Sequence, residues 1–364
     1  MRKKRVAIVG TNGIPAKYGG FETLAHYLTK ELGSKYDFTV YCSSIYKKEE
    51  RKKSLHQAKL KYFPLKANGL QSLLYDTITS VHAFFISDVI ILLGPAVGFV
   101  LALNTIFRKK IIVNHGGLNE WEREKLSNAE KKYAFWSHKI AAKYADVNIA
   151  DNNPLAMSLT KTFGINPEVI EYGGDHVEKT KPAKDDLNLL PFLSKDYDLS
   201  VSRAQVDNNI HLLLETYEKL KDRNIVIVSN WSISEYGVNL KNKYKNKFSN
   251  IYIVDAIYDK RLLDVVRSNA GLYIHSHSQC GTAPSLVEAM NYNIPVICYD
   301  VETNRATTKG KSLYFSDVTT LDLILRSLNS DSIESLRVDM YQIAKSSYTW
   351  EKISGKYERI IDNL

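Results

Sequence analysis

The sequence predicts an α/β protein built from two doubly wound parallel sheets in tandem. Three observations carry that expectation. Short runs rich in β-branched residues alternate with helical patterns along nearly the whole chain, an alternation that builds a parallel sheet covered by helices on both faces. The rhythm breaks once, at residues 178–195, where charge and two prolines gather in "EKTKPAKDDLNLLPFLSK". In each half, a glycine-bearing loop follows a strand directly.

In the first half the strands are "RVAIVG", "DFTVYC", "DVIILLG", "KKIIVNHGG", "DVNIAD" and "PEVIEYGG". Between the first two, Phe21, Leu24, Ala25, Leu28 and Leu32 recur at helical spacing, and Gly33 ends the helix. After the break, "YDLSVS" is followed by a helix carrying Ile210, Leu213, Leu214, Tyr217 and Leu220. The strands "NIVIVS", "NIYIVDA", "GLYIHSH", "IPVICYD" and "SLYF" come next, with helical stretches between them. The expected organisation is a first domain at 1–177, a linker at 178–195 and a second domain at 196–345. A terminal helix at 346–364 is expected to pack back on the first domain. Ligands of such sheets lie beyond the carboxyl ends of the strands, here in a cleft between two facing domains.

Composition agrees with a globular chain large enough for two cores: 364 residues, 44% hydrophobic and 24% charged. The net charge of +9, clustered at "RKKR", "KKEERKK" and "FRKK", suits anionic ligands or lipid headgroups as well as solubility. Cys42, Cys280 and Cys298 are scattered, which fits a reducing cytosol and argues against a disulfide scaffold or a zinc site. "MRKKRVAIVG" runs out of apolar residues after Val9, too early for a signal peptide. The apolar run at 89–107 approaches membrane-spanning length, but Gly94-Pro95 divides it. It reads as a buried strand, a turn and a core helix, in a soluble cytoplasmic protein.

The loop "GTNGIPAKYGGFET" joins the first strand to the first helix and brings backbone close to a ligand. A dinucleotide fits poorly: the spacing is not G-x-G-x-x-G, and no Asp or Glu ends the second strand to hold a ribose. That disfavours a nicotinamide oxidoreductase. A Walker loop fails because no G-K-[ST] follows. In the second half, "HSHSQCGTAPSLVEAM" places Gly281, Thr282 and Ala283 at the start of a helix that begins near Pro284. Their backbone N–H groups and the helix dipole make an anion site there. Glu288, one turn in, can accept from a ribose hydroxyl or serve as an ordinary capping carboxylate. Arg203 follows the strand "YDLSVS", and its planar fork can hold two phosphate oxygens at once. "NHGG" ends a strand of the first domain and carries His115, which taken alone would be an ordinary structural histidine.

Together these segments resemble family 4 of the GT-B glycosyltransferases, retaining enzymes that use nucleotide sugars and have two facing Rossmann-like domains. The similarity is greatest to the dTDP-rhamnose-dependent rhamnosyltransferases of bacterial capsule and cell-wall polysaccharide. It rests first on the "GTNGIPAKYGGFET" loop and on "GTAPSLVEAM", with "HGGLNEWEREK", "SRAQVDNNIH", "SNWSISEYG", "DVETNRATT" and "YTWEKISGKYE" in support, so it spans the chain.

The resemblance implies that the donor's nucleotide diphosphate binds the second domain and the acceptor docks on the first. Arg203 would hold the pyrophosphate, Gly281, Thr282 and Ala283 would donate backbone hydrogen bonds, and Glu288 would take the ribose. Gly19 and Gly20 would let the first loop approach the sugar and diphosphate, and His115 would touch the transferred sugar. Asn230 and Trp231 would lie near the base or phosphates. The leaving phosphate would help deprotonate the acceptor, so no protein base, metal or other cofactor is implied. The implied reaction moves a hexosyl unit, L-rhamnose from dTDP-L-rhamnose, onto a lipid-linked saccharide, with peripheral contact to the inner, anionic membrane face. Lys47 to Tyr62 is one basic stretch for that contact, with a solvated helix as its alternative. Two positions depart from the pattern. Cys280 stands where the first Glu of E-x7-E is usual, and Asn208 where a Lys often follows the Arg. UDP- or GDP-sugar donors, and a noncatalytic sugar-nucleotide-binding subunit of an assembly complex, are therefore alternatives.

Overall fold

The computed structural model describes residues 2–17, 19–123 and 126–364. Tyr18 of the first glycine loop, and Glu124 and Lys125 of "HGGLNEWEREK", lie outside the described residues. The chain divides into two compact units, one of Met1–Tyr172 with Trp350–Leu364 and one of Gly173–Thr349.

Unit 1 begins with β1 (Arg5–Val9), α1 (Gly20–Leu32) and β2 (Asp37–Cys42), then a short hairpin of β3 (Ser54–Leu55) and β4 (Ala58–Tyr62). There follow α2 (Ser72–Ile86), β5 (Val89–Leu93), a 3-10 turn at Gly98–Leu103 and α3 (Asn104–Phe107). β6 (Lys110–Asn114), α4 (Asn128–Tyr144), β7 (Val147–Ala150), α5 (Asn153–Phe163) and β8 (Glu168–Val169) complete its first segment. The eight strands lie in the order β3-β4-β2-β1-β5-β6-β7-β8, all parallel except the β3–β4 pair. Every residue of β5 is buried, as expected of a strand covered on both faces.

Unit 2 holds α6 (Lys184–Leu189), β9 (Asp198–Val201), α7 (Ile210–Lys219), β10 (Ile225–Ser229), α8 (Glu235–Tyr244) and β11 (Ile251–Asp255). It continues with α9 (Lys260–Ser268), β12 (Leu272–His275), α10 (Pro284–Asn291), β13 (Val296–Tyr299), α11 (Glu302–Thr307) and β14 (Leu313–Phe315). α12 (Val318–Ser327) and α13 (Ser330–Ser347) close it. Its parallel sheet has the order β11-β10-β9-β12-β13-β14. The core on one side of that sheet centres on Leu213, Tyr217, Ile227 and Trp231.

The last helix, α14 (Trp350–Asn363), belongs to unit 1. Trp350 stacks on Tyr27 of α1 at 4.7 Å, and Asn114 at the end of β6 donates to the Tyr357 hydroxyl at 2.9 Å.

Three local expectations change. Residues 178–195 are structured: they contain α6, tied into unit 2 by the Asp186–Arg261 ion pair. Lys47 to Tyr62 is a 3-10 turn and the β3–β4 hairpin, because β4 adds in parallel to β2. The piece after Gly94-Pro95 is only partly core, since Phe99, Leu103 and Ile106 face solvent. No helix among the described residues is long and apolar enough to cross a membrane.

Candidate functional site

In each sheet the strand order reverses once. β1 sends the chain to β2 on one side while β5 adds on the other; β9 sends it to β10 while β12 adds on the other. Loops leaving the carboxyl ends of two such adjacent strands diverge, and the crevice they leave is where doubly wound sheets bind ligands. In unit 1 the crevice lies between the loops after β1 and β5. In unit 2 it lies between those after β9 and β12.

In unit 2 those two loops hold each other. The Ser276 hydroxyl donates to the Asn208 carbonyl at 2.5 Å, and Ser278 donates its N–H and its hydroxyl to the Asp207 carbonyl, both at 2.9 Å. Asn209 donates back to the Ser276 carbonyl at 3.0 Å. The pairing brings Arg203 beside His277. Burial, helped by the Arg203 charge, pushes the His277 imidazole down to about 3. The Arg203 side chain is exposed, and it pairs with no carboxylate among the described residues. A few residues on, α10 begins at Pro284 with Ala283 as a cap that supplies no side-chain hydrogen bond. Of the first turn, Pro284 has no N–H, and the Leu286 and Val287 N–H groups bond the Ala283 carbonyl at 3.0 and 3.2 Å. The exposed Arg203 guanidinium and the start of α10, where Gly281, Thr282 and Ala283 are buried, thus follow β9 and β12, the two strands that flank one crevice.

Glu288 is 8% exposed, and its two oxygens face Arg267 Nη1 at 2.7 Å and His176 Nε2 at 3.1 Å. Burial alone would raise its carboxyl; the Arg267 charge and the His176 contact outweigh that and hold it below its ordinary value. An ionised carboxylate has about four acceptor positions, so two remain for hydroxyls. Arg267 and His176 are site residues that sequence reasoning missed. They come from α9 and from the chain just before α6, and only folding places them at α10.

Two expected donor contacts, Asn208 and Trp231, are used internally instead. Asn208 is buried and its amide donates to the Arg203 carbonyl at 2.7 Å, closing the loop that presents the arginine. Trp231 is 1% exposed in the core of unit 2, and its indole N–H is satisfied by the Val254 carbonyl at 2.8 Å. It has nothing left for a base or phosphate. Asn230, half-buried at the end of β10, accepts from the Ser232 hydroxyl at 3.1 Å. Asn304, inside the "DVETNRATT" segment, was also missed. It donates to the carbonyls of His277 and Tyr299, both at 2.9 Å, and so fixes the β12 loop to the start of α11.

Cys280 is buried with Sγ 3.4 Å from Asn304 Oδ1. One ligand atom from each of His275, His277 and Cys280 lies within 4.8 Å of the others, although their spacing gave no sign of a metal cluster. Imidazole and thiolate suit zinc. The Arg203 charge beside them works against a cation at this place.

In unit 1, Gly10 leaves β1 with φ +80, and a Cβ there would sit 2.3 Å from the Leu93 carbonyl oxygen, so only glycine fits. Gly19 caps α1 at φ 104, again without a side-chain hydrogen bond, and Gly20 is the first residue of that helix. The electrostatics differ from α10. Glu22 in the first turn is buried and accepts from Asn12 N at 2.9 Å and Nδ2 at 2.8 Å. A carboxylate over the helix N-terminus favours hydroxyl donors and repels phosphate. Glu22 and Asn12 are visible in the loop motif, but nothing in their spacing reveals that they meet.

His115 is fully buried after β6. Its Nε2 lies 2.8 Å from Asn148 Oδ1 and its Nδ1 3.5 Å from Nδ1 of His138. Burial pushes it down to about 4 against the pull of Asn148, so it is a neutral group that fixes β6 to β7. The expected sugar contact through its side chain is not available.

The family model described as "Domain of unknown function (DUF1972)" matches residues 3–175. No curated protein matches the chain. Among solved structures, the chain is similar to sucrose-phosphate synthase from Thermosynechococcus elongatus, with TM-score 0.81 and 16% identity over 100% of this chain and 99% of that one. It is also similar to HepE from Anabaena in complex with UDP and glucose, with TM-score 0.75 and 13% identity over 99% and 100% of the two chains. The fold is GT-B. A glycosyltransferase from Rickettsia africae has the same architecture, with TM-score 0.72 and 14% identity over 99% and 98%. GT-B proteins consist of two Rossmann-like units, and each unit here carries its own switch-point crevice.

Proposed function

We propose that this GT-B protein is a retaining glycosyltransferase that moves a hexosyl unit, L-rhamnose from dTDP-L-rhamnose, onto a lipid-linked saccharide. One observation carries the reading: Arg203 and the uncapped start of α10 lie on the two lips of the unit 2 switch-point crevice. A fork-shaped cation beside a helix N-terminus matches a nucleoside diphosphate. The neighbours named as sucrose-phosphate synthase and as a UDP and glucose complex are consistent with a nucleotide-sugar donor.

When the glycosyl–phosphate bond breaks, positive charge grows on the sugar ring and negative charge on the departing diphosphate. Arg203 and the N–H groups of Gly281, Thr282 and Ala283 would meet that negative charge and so stabilise the transition state more than the bound donor. Glu288, held by Arg267 and His176, uses its remaining lone pairs on the ribose. In unit 1, Glu22 beside the Gly19–Gly20 backbone orients a hydroxyl. The acceptor proton passes to the leaving phosphate, and no metal is required. The same donors would serve a UDP-sugar, which makes that the second reading, favoured by the UDP-bound neighbour.

The test is turnover of labelled dTDP-rhamnose, UDP-glucose and a GDP-sugar with membrane extract as acceptor. Label transfer from dTDP-rhamnose above the other two supports the first reading, and preference for UDP-glucose the second. No transfer from any donor, with nucleotide still bound, would point to a noncatalytic subunit.

A further inference from the structure

The end of β12 and the loop after it gather three metal-ligating side chains that the transferase reading does not use. His275 is the last residue of β12 and His277 stands two residues on, a spacing that on a strand puts both side chains on one face. Their ring centres lie 4.2 Å apart. The loop then turns back and brings Cys280 Sγ to 4.0 Å from His275 Nε2. All three residues therefore reach one point, with a ligand atom of each within 4.8 Å of the others. Zinc bonds of about 2.0–2.3 Å set the ligand atoms of a tetrahedral site roughly 3.3–3.6 Å apart, so the three close by about 1 Å around an ion.

The ring nitrogens are short of partners. His275 is 1% exposed, and among the described residues neither its Nδ1 nor Nε2 of His277 has a hydrogen-bond partner. Buried polar atoms are ordinarily paired, because an unmet one loses its hydration without return. Burial holds both imidazoles well below their ordinary value, so each is neutral and carries a lone pair. The surroundings of the sulfur suit a thiolate. The Thr303 hydroxyl at 3.9 Å can donate to it, and Asn304, with Oδ1 3.4 Å from Sγ, is itself fixed by the carbonyls of His277 and Tyr299. Two neutral imidazoles and one thiolate are a zinc donor set, and scattered cysteines exclude only a site that needs several thiolates. Arg203 beside His277 opposes the ion, but it is exposed and screened by solvent, and the thiolate cancels one of the two metal charges. We propose that His275, His277 and Cys280 bind a zinc ion, the Cys280 thiol proton passing to solvent as the zinc–sulfur bond forms. Half-buried His277 gives the ion its way in. Once bound, the ion ties the end of β12 to the loop that leads into α10. The proposal stands apart from the transferase reading, since metal binding is measured with neither sugar donor nor acceptor.

The experiment strips the full chain with a chelator and titrates it with zinc against a chromogenic indicator, and separately with cobalt followed by absorbance. Wild type takes up a single zinc ion per chain. Cobalt gives the intense visible bands of a tetrahedral ion together with a thiolate-to-cobalt charge-transfer band in the near ultraviolet. Cys280→Ser loses that band and weakens zinc at least ~tenfold, and His275→Gln weakens zinc by a similar factor. Arg203→Gln tightens zinc, because a repelling charge is gone. Zinc raises the thermal midpoint of wild type but not of Cys280→Ser. Equal metal-free midpoints show that Cys280→Ser is folded, and the cobalt spectrum of wild type tests the site without any variant. Wild type that binds zinc no tighter than Cys280→Ser, or cobalt that binds without the charge-transfer band, overturns the proposal. So does a band that persists in Cys280→Ser, because the thiolate would then be Cys42 or Cys298.

Discussion

The crevices of the two units are built alike and charged oppositely. Each lies where the strand order reverses, and each is entered by a helix whose first turn has no side-chain cap. At α1 a buried carboxylate, Glu22, already lies over the helix N-terminus and binds Asn12. At α10 the first turn has no acidic residue, the carboxylate one turn in is neutralised by Arg267 and His176, and Arg203 stands alongside. On the proposed reading, the same backbone device takes hydroxyls in one unit and phosphates in the other. The local fold supplies the donors, and one or two side chains set the sign.

The largest test strikes the neutralised carboxylate. Arg267→Ala leaves Glu288 buried with only His176 beside it, so urea unfolding should show a loss of about 3–5 kcal/mol. A loss under about 1 kcal/mol would mean the carboxylate is not held as described.

Acid should act on both units in the same direction. His115 in unit 1 is held down to about 4, and His277 in unit 2 to about 3, mainly by burial. Between an ordinary histidine value of about 6.5 and the folded value, the unfolded chain binds protons that the native chain does not. Stability is thus full above about pH 6.5 and falls as the pH drops toward about 4, by about 3 kcal/mol for His115 alone. His115→Gln should flatten that slope, read from urea midpoints across the range; an equally steep variant would deny His115 its part.

Next in size is Arg203→Ala. Loss of one charge-assisted phosphate contact, worth about 1.5–3 kcal/mol, should weaken dTDP at least ~tenfold by calorimetry and cut turnover similarly. The thermal midpoint should not move, because the side chain is exposed. Undiminished dTDP affinity would remove Arg203 from the site.

The smallest effect separates the two helix starts most sharply. Glu22→Gln should change dTDP affinity by less than about threefold, a difference under ~0.7 kcal/mol, because the diphosphate belongs at α10. A marked gain in affinity would show that the phosphates reach α1 and that the division of labour is wrong.

Much of this was legible along the chain, for a reason that differs between fold and site. Strand and helix type follow from periodicity over neighbouring residues, so β1, β2, β5, β6, β9, β10 and β12 were readable directly. The loops that end them were readable too, since Gly10 is required where backbone must pass close. The hairpin at Ser54–Tyr62 was not, because β4 is short and charged and is held by its partner β2 rather than by its own pattern.

The sequence by itself determined two doubly wound sheets, the positions of their ligand-facing loops and the presence of Arg203 at a strand end, all of them consequences of local spacing. Tertiary structure alone decided which side chains those loops could spare. Trp231 and His115 follow strands just as Arg203 does, yet burial and a satisfied N–H turn them inward, while Arg267 and His176 arrive at Glu288 from distant segments. A side chain's availability depends on what fills the space around it, and that is set by contacts between residues far apart in the chain.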